Sequence, residues 1–289
     1  MRAFAYHAPT SLAEAVSILE REGGGGKILA GGTDLLIAIK ERGFVPNYVV
    51  SLRDVKELQQ VSFDANSGLR IGAGAKLSDV AAHPVVQERY PIIVQGASLV
   101  GSLQIQNQGT VVGNVCNAAP SADTAPPLVA LGAVARIVGP GGERSVPVED
   151  FFVGPGRSVL KSDELVAEIL VPPPPARSGG AYERFTPRQE MDIAVVGVGS
   201  VVTLGSGDRC TAARISLGAV APTPIRAQAA EAALIDKELT PEVIEAAAQA
   251  AVGDAVPITD QRGTADYRKH LVKVLTRRTL TAAWQDARG

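Results

Sequence analysis

The sequence predicts a multidomain α+β protein, and three observations carry that expectation. The chain has 289 residues, more than one compact core usually holds. Short apolar runs of strand type alternate with short amphipathic stretches through the first 171 residues. Four consecutive prolines at 172–175 then divide the chain, because a residue without a backbone N–H joins neither a helix interior nor a sheet centre. The expected domains are 1–176 and 177–289.

The elements follow in order. Ser11 and Glu14 form a capping box that satisfies early backbone N–H groups. Leu12, Ala15, Val16 and Leu19 then share one helical face, and the glycines at 23–26 stop that helix. Residues 27–30 read as a short buried strand, 35–41 as a helix ended by Gly43, and 48–51 as a second strand. A β–loop–α–β unit of this kind makes its strands parallel. Residues 69–71 alternate, 77–82 and 91–100 are helical, 123–131 is an apolar helix, and 134–138 is a strand closed by the turn GPGGER. Residues 164–171 form a long strand before the prolines. Beyond them, 194–204, the turn GSGD and 211–220 make a hairpin, and helices are expected at 225–235, 241–252 and 264–284.

Composition removes several functions. The net charge is −2 and no basic stripe stands out, so no nucleic acid partner is expected. No run of about 20 apolar residues exists to span a membrane. The N-terminal MRAFAYHAPTSLAEAV lacks an apolar signal core, so a cytoplasmic location is expected. Cys116 and Cys210 are the two cysteines. They cannot build a disulfide scaffold, nor supply the four ligands of an iron–sulfur cluster.

Two glycine-bearing stretches carry the chemistry: Ala30-Gly31-Gly32-Thr33-Asp34 and Thr110-Val111-Val112-Gly113-Asn114. Glycine lets backbone N–H groups approach a phosphate with no Cβ in the way, and successive N–H groups form an anion nest. The first stretch also leads into a helix, whose start favours negative charge. Thr33 and Thr110 add hydroxyls. Neither stretch matches GxGxxG or GxxxxGK followed by Ser or Thr, so neither a Rossmann site nor a P-loop is indicated. Two such loops can hold a dinucleotide's pyrophosphate from both sides; the alternative is that each is only a turn. Asp123, in PSADTAPPLVAL, either accepts hydrogen bonds from a ribityl or ribose hydroxyl or acts as an N-terminal acid of the following helix.

AGGTDLL at 30–36, TVVGNVCNAAPSADTAPPLVALGA at 110–133, DELV at 163–166 and RQEMDIAVVGVG at 188–199 resemble the FAD-binding medium subunit of the molybdenum hydroxylases, the xanthine dehydrogenase and aerobic carbon monoxide dehydrogenase family. YRKHL and VLTRR resemble the family's last helix, so the likeness runs end to end. It implies a FAD-binding domain of the vanillyl-alcohol oxidase (PCMH) type in two subdomains, about 1–55 and 56–176. It further implies a small C-terminal α+β domain with a three-stranded antiparallel sheet. FAD would lie extended between the subdomains. By motif, Lys27, Leu29, Ala30, Gly31, Gly32, Thr33, Asp34 and Leu35 line the first loop, and Thr110, Gly113, Asn114 and Ala118 the second. Asp123 matches an acid that meets FAD hydroxyls, and Leu165 an apolar position beside the flavin or adenine. Arg184 stands where many relatives have lysine near the flavin ring, so its cation would stabilise reduced flavin; the alternative is a surface arginine paired with Glu183 or Glu190.

The sequence departs from the family pattern in three places. Val112 replaces a glycine common in the second loop, Asp34 stands at a variable polar position, and no histidine in the first loop offers a covalent flavin link, so FAD is expected to be non-covalent. Ile105, Gln106 and Gln108 are candidates to shape the ring's exposed face or simply to pack. The family implies that molybdopterin and [2Fe-2S] clusters reside on a large and a small partner subunit, in a dimer of heterotrimers. Electrons from those clusters would pass through this FAD to an outside acceptor. Two rival readings remain: a self-sufficient flavin oxidoreductase on the same fold, and a binding module with degenerate loops.

Overall fold

The computed structural model describes residues 3–41 and 43–289. Its first layer is a parallel sheet of β1 (Ala5–His7), β2 (Gly26–Leu29) and β3 (Tyr48–Ser51), in the order β1-β3-β2. Parallel neighbours require crossovers. Helix α1 (Leu12–Glu22) makes the first and α2 (Leu35–Glu41) the second. The Ser11 hydroxyl accepts the Glu14 N–H at 3.2 Å, as a capping box requires. The Glu14 carboxylate reaches back to the Thr10 N–H at 2.8 Å, one residue further than the motif predicts. Ala15, Ile18 and Leu19 are the buried face of α1, and Gly23 ends it with φ 69°. Strand β1 escaped the sequence pattern because Ala5 and Tyr6 are exposed and three residues show no alternation.

The second layer is an antiparallel sheet ordered β4-β5-β10-β6-β7, built from β4 (Val61–Asp64), β5 (Gly68–Gly72), β6 (Val134–Gly139), β7 (Gly142–Pro147) and β10 (Leu165–Val171). Central β10 is buried nearly throughout, which explains its continuous apolar run. Its exception, Glu168, meets Arg70 at 2.7 Å and Arg136 at 2.5 Å from the flanking strands, so a buried charge is neutralised from both sides. The β6–β7 turn is shorter than GPGGER: Gly139 pairs with Gly142, so only Pro140 and Gly141 turn, and the rest is strand.

Helices α3 (Leu77–Ala82), α4 (Pro84–Arg89), α5 (Pro91–Ser98), α6 (Leu103–Gln106), α7 (Val111–Asn117) and α8 (Ala125–Ala130) fill the span between β5 and β6. A small ribbon of β8 (Phe152–Gly154) and β9 (Arg157–Ser158) follows β7. One continuous core joins both sheets, from Ala15, Leu19 and Tyr48 to Leu69, Ile71, Leu128 and Ile137. Burying each such Leu or Ile contributes about 1.5–3 kcal/mol.

The C-terminal sheet contains the three expected antiparallel strands: β11 (Ser178–Phe185), β12 (Val196–Leu204) and β13 (Cys210–Gly218). A fourth, β14 (Ile225–Arg226), pairs with β13 where a helix was expected. That helix, α9 (Gln228–Leu234), starts later. Helices α10 (Pro241–Asp254) and α11 (Ala265–Arg288) complete the domain, with Thr240 and Thr264 as their caps. A second core unites Val196, Val198, Ile215 and Leu217 with Val272, Leu275 and Leu280 of α11. Tyr182 of β11 belongs to the first core instead, so the two cores meet at β11. Among the described residues no helix is long and apolar enough to cross a membrane.

Candidate cofactor site

The two glycine-bearing stretches lie against each other. Residues 30–34 form the turn between β2 and α2, with Leu29 ending the strand and Leu35 opening the helix. A Cβ on Gly31 would overlap the Gln108 carbonyl oxygen and lie 2.6 Å from the Gly109 Cα. Backbone therefore touches backbone, and only glycine permits that approach. Gly32 holds φ 75°. The Ala30 Cβ is 3.9 Å from where a Gly113 Cβ would stand, and Thr33 Oγ1 is 3.5 Å from the corresponding point on Gly109. Across the contact, Leu77 N–H donates to the Gly109 carbonyl at 2.9 Å, and Lys76 and Thr110 form a β-bridge.

The second stretch is not a loop, as expected, but the first turn of α7. Thr110 is its N-cap, buried to 4% exposure, and its Oγ1 accepts the Gly113 N–H at 2.9 Å. That N–H is thus committed inside the protein. The N–H groups of Val111 and Val112 remain without an intrahelical acceptor. In the first turn the N–H groups of Gly31, Gly32 and Thr33 have no acceptor among the described residues. Donors without an acceptor among the described residues, on two neighbouring turns, fit an anionic diphosphate. Val112, which departs from the family's glycine, is 2% exposed and packs in the core.

Asn114 relays this arrangement onward. Its Oδ1 accepts the Thr124 hydroxyl at 2.6 Å, pinning the segment that carries Asp123. Asp123 is 6% exposed. Its Oδ1 accepts the Tyr182 hydroxyl at 2.8 Å, and its Oδ2 accepts Arg184 Nη1 in an ion pair. Burial raises the Asp123 pKa to about 6, against the pull of Arg184 and Tyr182. Burial, followed by the Asp123 charge, pushes the Tyr182 hydroxyl well above its usual range, so it stays a donor. The side chain of Asp123 therefore caps no helix: α8 begins after Thr124, which makes no side-chain cap bond. Arg184 is no surface residue either. Its side chain is 5% exposed, and Glu183 pairs instead with Arg278.

The remaining expected residues divide between turn and core. Lys27 is exposed on β2, with its ammonium 5.6 Å from the Phe44 ring centre. Ala118 ends α7 in the left-handed region at φ 50°, and its carbonyl accepts the Gly156 N–H. Leu165 opens β10, is 1% exposed, and packs in the core. Gln106 is occupied with the Ser98 and Val100 carbonyls at 2.8 and 3.2 Å, while Gln108 gives its carbonyl to the Gly31 contact. Sequence reasoning missed Gly109, Thr124 and Tyr182. The Tyr in YERF, two residues before Arg184, was the available signal for the last. Two clefts lie elsewhere, one lined by Tyr6, His7, Glu14 and Arg21, the other by Glu57, Arg70, Arg136 and Glu168, and neither includes a residue of the two turns. Among the described residues no cluster of His, Cys, Asp and Glu could hold a metal ion.

Residues 2–174 match the family described as the FAD binding domain in molybdopterin dehydrogenase, and residues 181–283 match the CO dehydrogenase flavoprotein C-terminal domain. The chain is 36% identical to the carbon monoxide dehydrogenase medium chain of Hydrogenophaga pseudoflava, over 97% of either chain. It is 32% identical to the putative xanthine dehydrogenase FAD-binding subunit of Escherichia coli K12, over 98% of this chain and 97% of that one. It superposes on a solved carbon monoxide dehydrogenase from Hydrogenophaga pseudoflava with a TM-score of 0.93 at 37% identity, covering 99% of this chain and 98% of the other.

Proposed function

We infer the function from one premise: the chain belongs to the FAD-binding subunits of the molybdopterin dehydrogenases. It is accordingly an oxidoreductase subunit and a FAD protein. Beyond that, we propose that it accepts electrons from [2Fe-2S] clusters on a small partner subunit and delivers them to an external acceptor. A large partner subunit would carry the molybdenum cofactor, in a dimer of heterotrimers. The relatives named as medium chain and FAD-binding subunit support this division of labour.

The observation that carries the site assignment is the backbone contact between Gly31 and Gln108-Gly109. It brings the N–H groups of Gly31, Gly32 and Thr33, which have no acceptor among the described residues, beside the start of α7. These donors would hold the diphosphate without a covalent link. Bound FAD supplies the capacity to take up and release two electrons. The chain's residues supply grip and electrostatics. Asp123 would accept a ribityl or ribose hydroxyl on lone pairs left by Tyr182 and Arg184. Arg184 faces Asp123, so its cation is largely offset by a carboxylate and tunes the flavin potential less than an unpaired cation would.

Gly113→Val tests the site. Its Cβ would stand 2.8 Å from Thr110 Oγ1, the atom that caps α7. The variant is expected to lose FAD on purification; flavin absorbance at wild-type stoichiometry would remove this part of α7 from the site.

A further inference from the structure

Tyr182 links the two domains. It sits on β11 of the C-terminal sheet, yet its side chain belongs to the N-terminal core. Two hydrogen bonds fix it. Its N–H donates to Gln95 Oε1 of α5 at 2.6 Å, and its hydroxyl donates to Asp123 Oδ1 at 2.8 Å. The carboxylate it meets is tied to the glycine turns, because Asn114 in the first turn of α7 bonds Thr124 next door. A line of bonded neighbours thus runs from Asn114 in α7 through Thr124 and Asp123 to Tyr182.

We propose that Tyr182 is a positioning residue for FAD: its hydroxyl holds the Asp123 carboxylate in place, so that a domain contributing nothing to either glycine-bearing turn sets how tightly the cofactor is retained. This rests on the reading of Asp123 as the acceptor of a FAD hydroxyl. Arg184 supplies charge on the opposite oxygen, and a hydroxyl on Oδ1 stops the carboxylate from swinging into a symmetric fork with the guanidinium. Among the described residues, Tyr182 and Arg184 of β11 are the titratable groups that meet the Asp123 carboxylate, while α5 approaches the Asp123 backbone at neutral Gly96. Asp123 binds as a carboxylate, so retention weakens as pH falls through its folded pKa of about 6. The Tyr182 bond lowers that pKa, so removing it moves the loss of FAD to higher pH.

The test titrates FAD into the purified, flavin-stripped full chain from pH 5 to 8, with Tm of the apoprotein recorded alongside. Wild type is expected to bind progressively more weakly below pH 6. Tyr182→Phe is expected to bind about tenfold more weakly at pH 7.5, the scale of one lost hydrogen bond, with its midpoint moved upward. Asp123→Asn is expected to bind weakly at every pH, without a midpoint. A Tyr182→Phe protein with lowered Tm but wild-type affinity and midpoint would reduce Tyr182 to a structural role and overturn the proposal alone. Wild-type binding by Asp123→Asn at every pH would overturn the Asp123 reading beneath it. If Tyr182→Phe does not fold, Gln95→Ala, which frees the Tyr182 backbone, must still move the midpoint upward; an unmoved midpoint rejects the proposal.

Discussion

Glycine does opposite work in the two halves of this molecule. In the N-terminal half, Gly31 lets one turn press its backbone onto another, and the N–H groups beside the contact have no acceptor among the described residues. In the C-terminal domain, Gly179 on β11 lets α11 settle onto the sheet, where a Cβ would overlap the Ala283 carbonyl oxygen and Ala287 N and lie 2.8 Å from Asp286 Cβ. Gly199 on β12 does the same for α8, with the Pro126 carbonyl oxygen 2.9 Å from its missing Cβ. At those two contacts the space is filled by a helix. The same small residue therefore leaves donors over beside a turn-to-turn contact in one place and closes a packing interface in the other. What separates the outcomes is whether donors are left over once the backbones have met.

The sharpest break of this contrast is Gly31→Ala. The added Cβ meets main-chain atoms of Gln108 and Gly109, which no rotamer change can move aside. The turns must part, and FAD affinity is expected to fall by about 100-fold or more, on the order of 3 kcal/mol. Flavin titration of the purified chain reads the change. Retained affinity would mean that the contact is packing alone, like those of the second domain.

Gly179→Ala is the matched experiment on the other side. It forces α11 off β11 and is expected to cost about 3 kcal/mol of stability, within the range for overpacking a tight contact. Urea unfolding measures it. Flavin stoichiometry before the transition should remain that of wild type, because Gly179 lies on the α11 face of the sheet and not at the turns. Loss of flavin without loss of stability would erase the distinction between the halves.

Thr110→Val is smaller and tests the link between cap and groove. The hydroxyl accepts the Gly113 N–H, and losing an N-cap costs about 1 kcal/mol. The freed Gly113 N–H then becomes one more unpaired donor beside Ala30. FAD affinity is expected to change less than about fivefold while Tm drops, a pattern opposite to that of Gly31→Ala. A large affinity loss would give the Thr110 hydroxyl a direct part in binding.

Much of this was legible in the sequence, and the gaps have physical causes. Capping residues, proline breaks and long apolar runs announced α1, α10, α11, β10 and the β12–β13 hairpin, since each signal is local. The short elements β1, β4, α4 and α6 were silent because three to six residues hold too few turns or alternations to show a period. At the site, AGGTD and TVVGN were visible as glycine signals. That both could flank one pyrophosphate was an expectation; that Gly31 presses onto the Gln108-Gly109 backbone was not visible, because Gln108 lies 77 positions away. Val112 stood out as a departure from the family's glycine, and it marks the buried side of a helix. Asp123 stood out as a lone acid before an apolar run, but its partners lie about 60 residues downstream, and nothing local in YERF says which side chain turns inward.

That last ambiguity supports the smallest prediction. Glu183 and Arg184 are neighbours on β11, and strand alternation sends them to opposite faces. Arg184 goes inward to Asp123, with both side chains under a tenth exposed. Glu183 goes outward to Arg278 of α11 at 2.7 Å, with side chains 39% and 58% exposed. Exposed pairs are screened by water and salt and lose side-chain entropy on forming. Arg278→Ala is therefore expected to shift stability by less than about 0.5 kcal/mol and to leave FAD affinity unchanged. Measured in low and in high salt, the small difference from wild type should shrink as ionic strength rises. A loss of FAD from Arg278→Ala would instead mean that α11 holds β11 in the position Tyr182 and Arg184 need, and that the second domain's packing face and the first domain's groove are one mechanical unit.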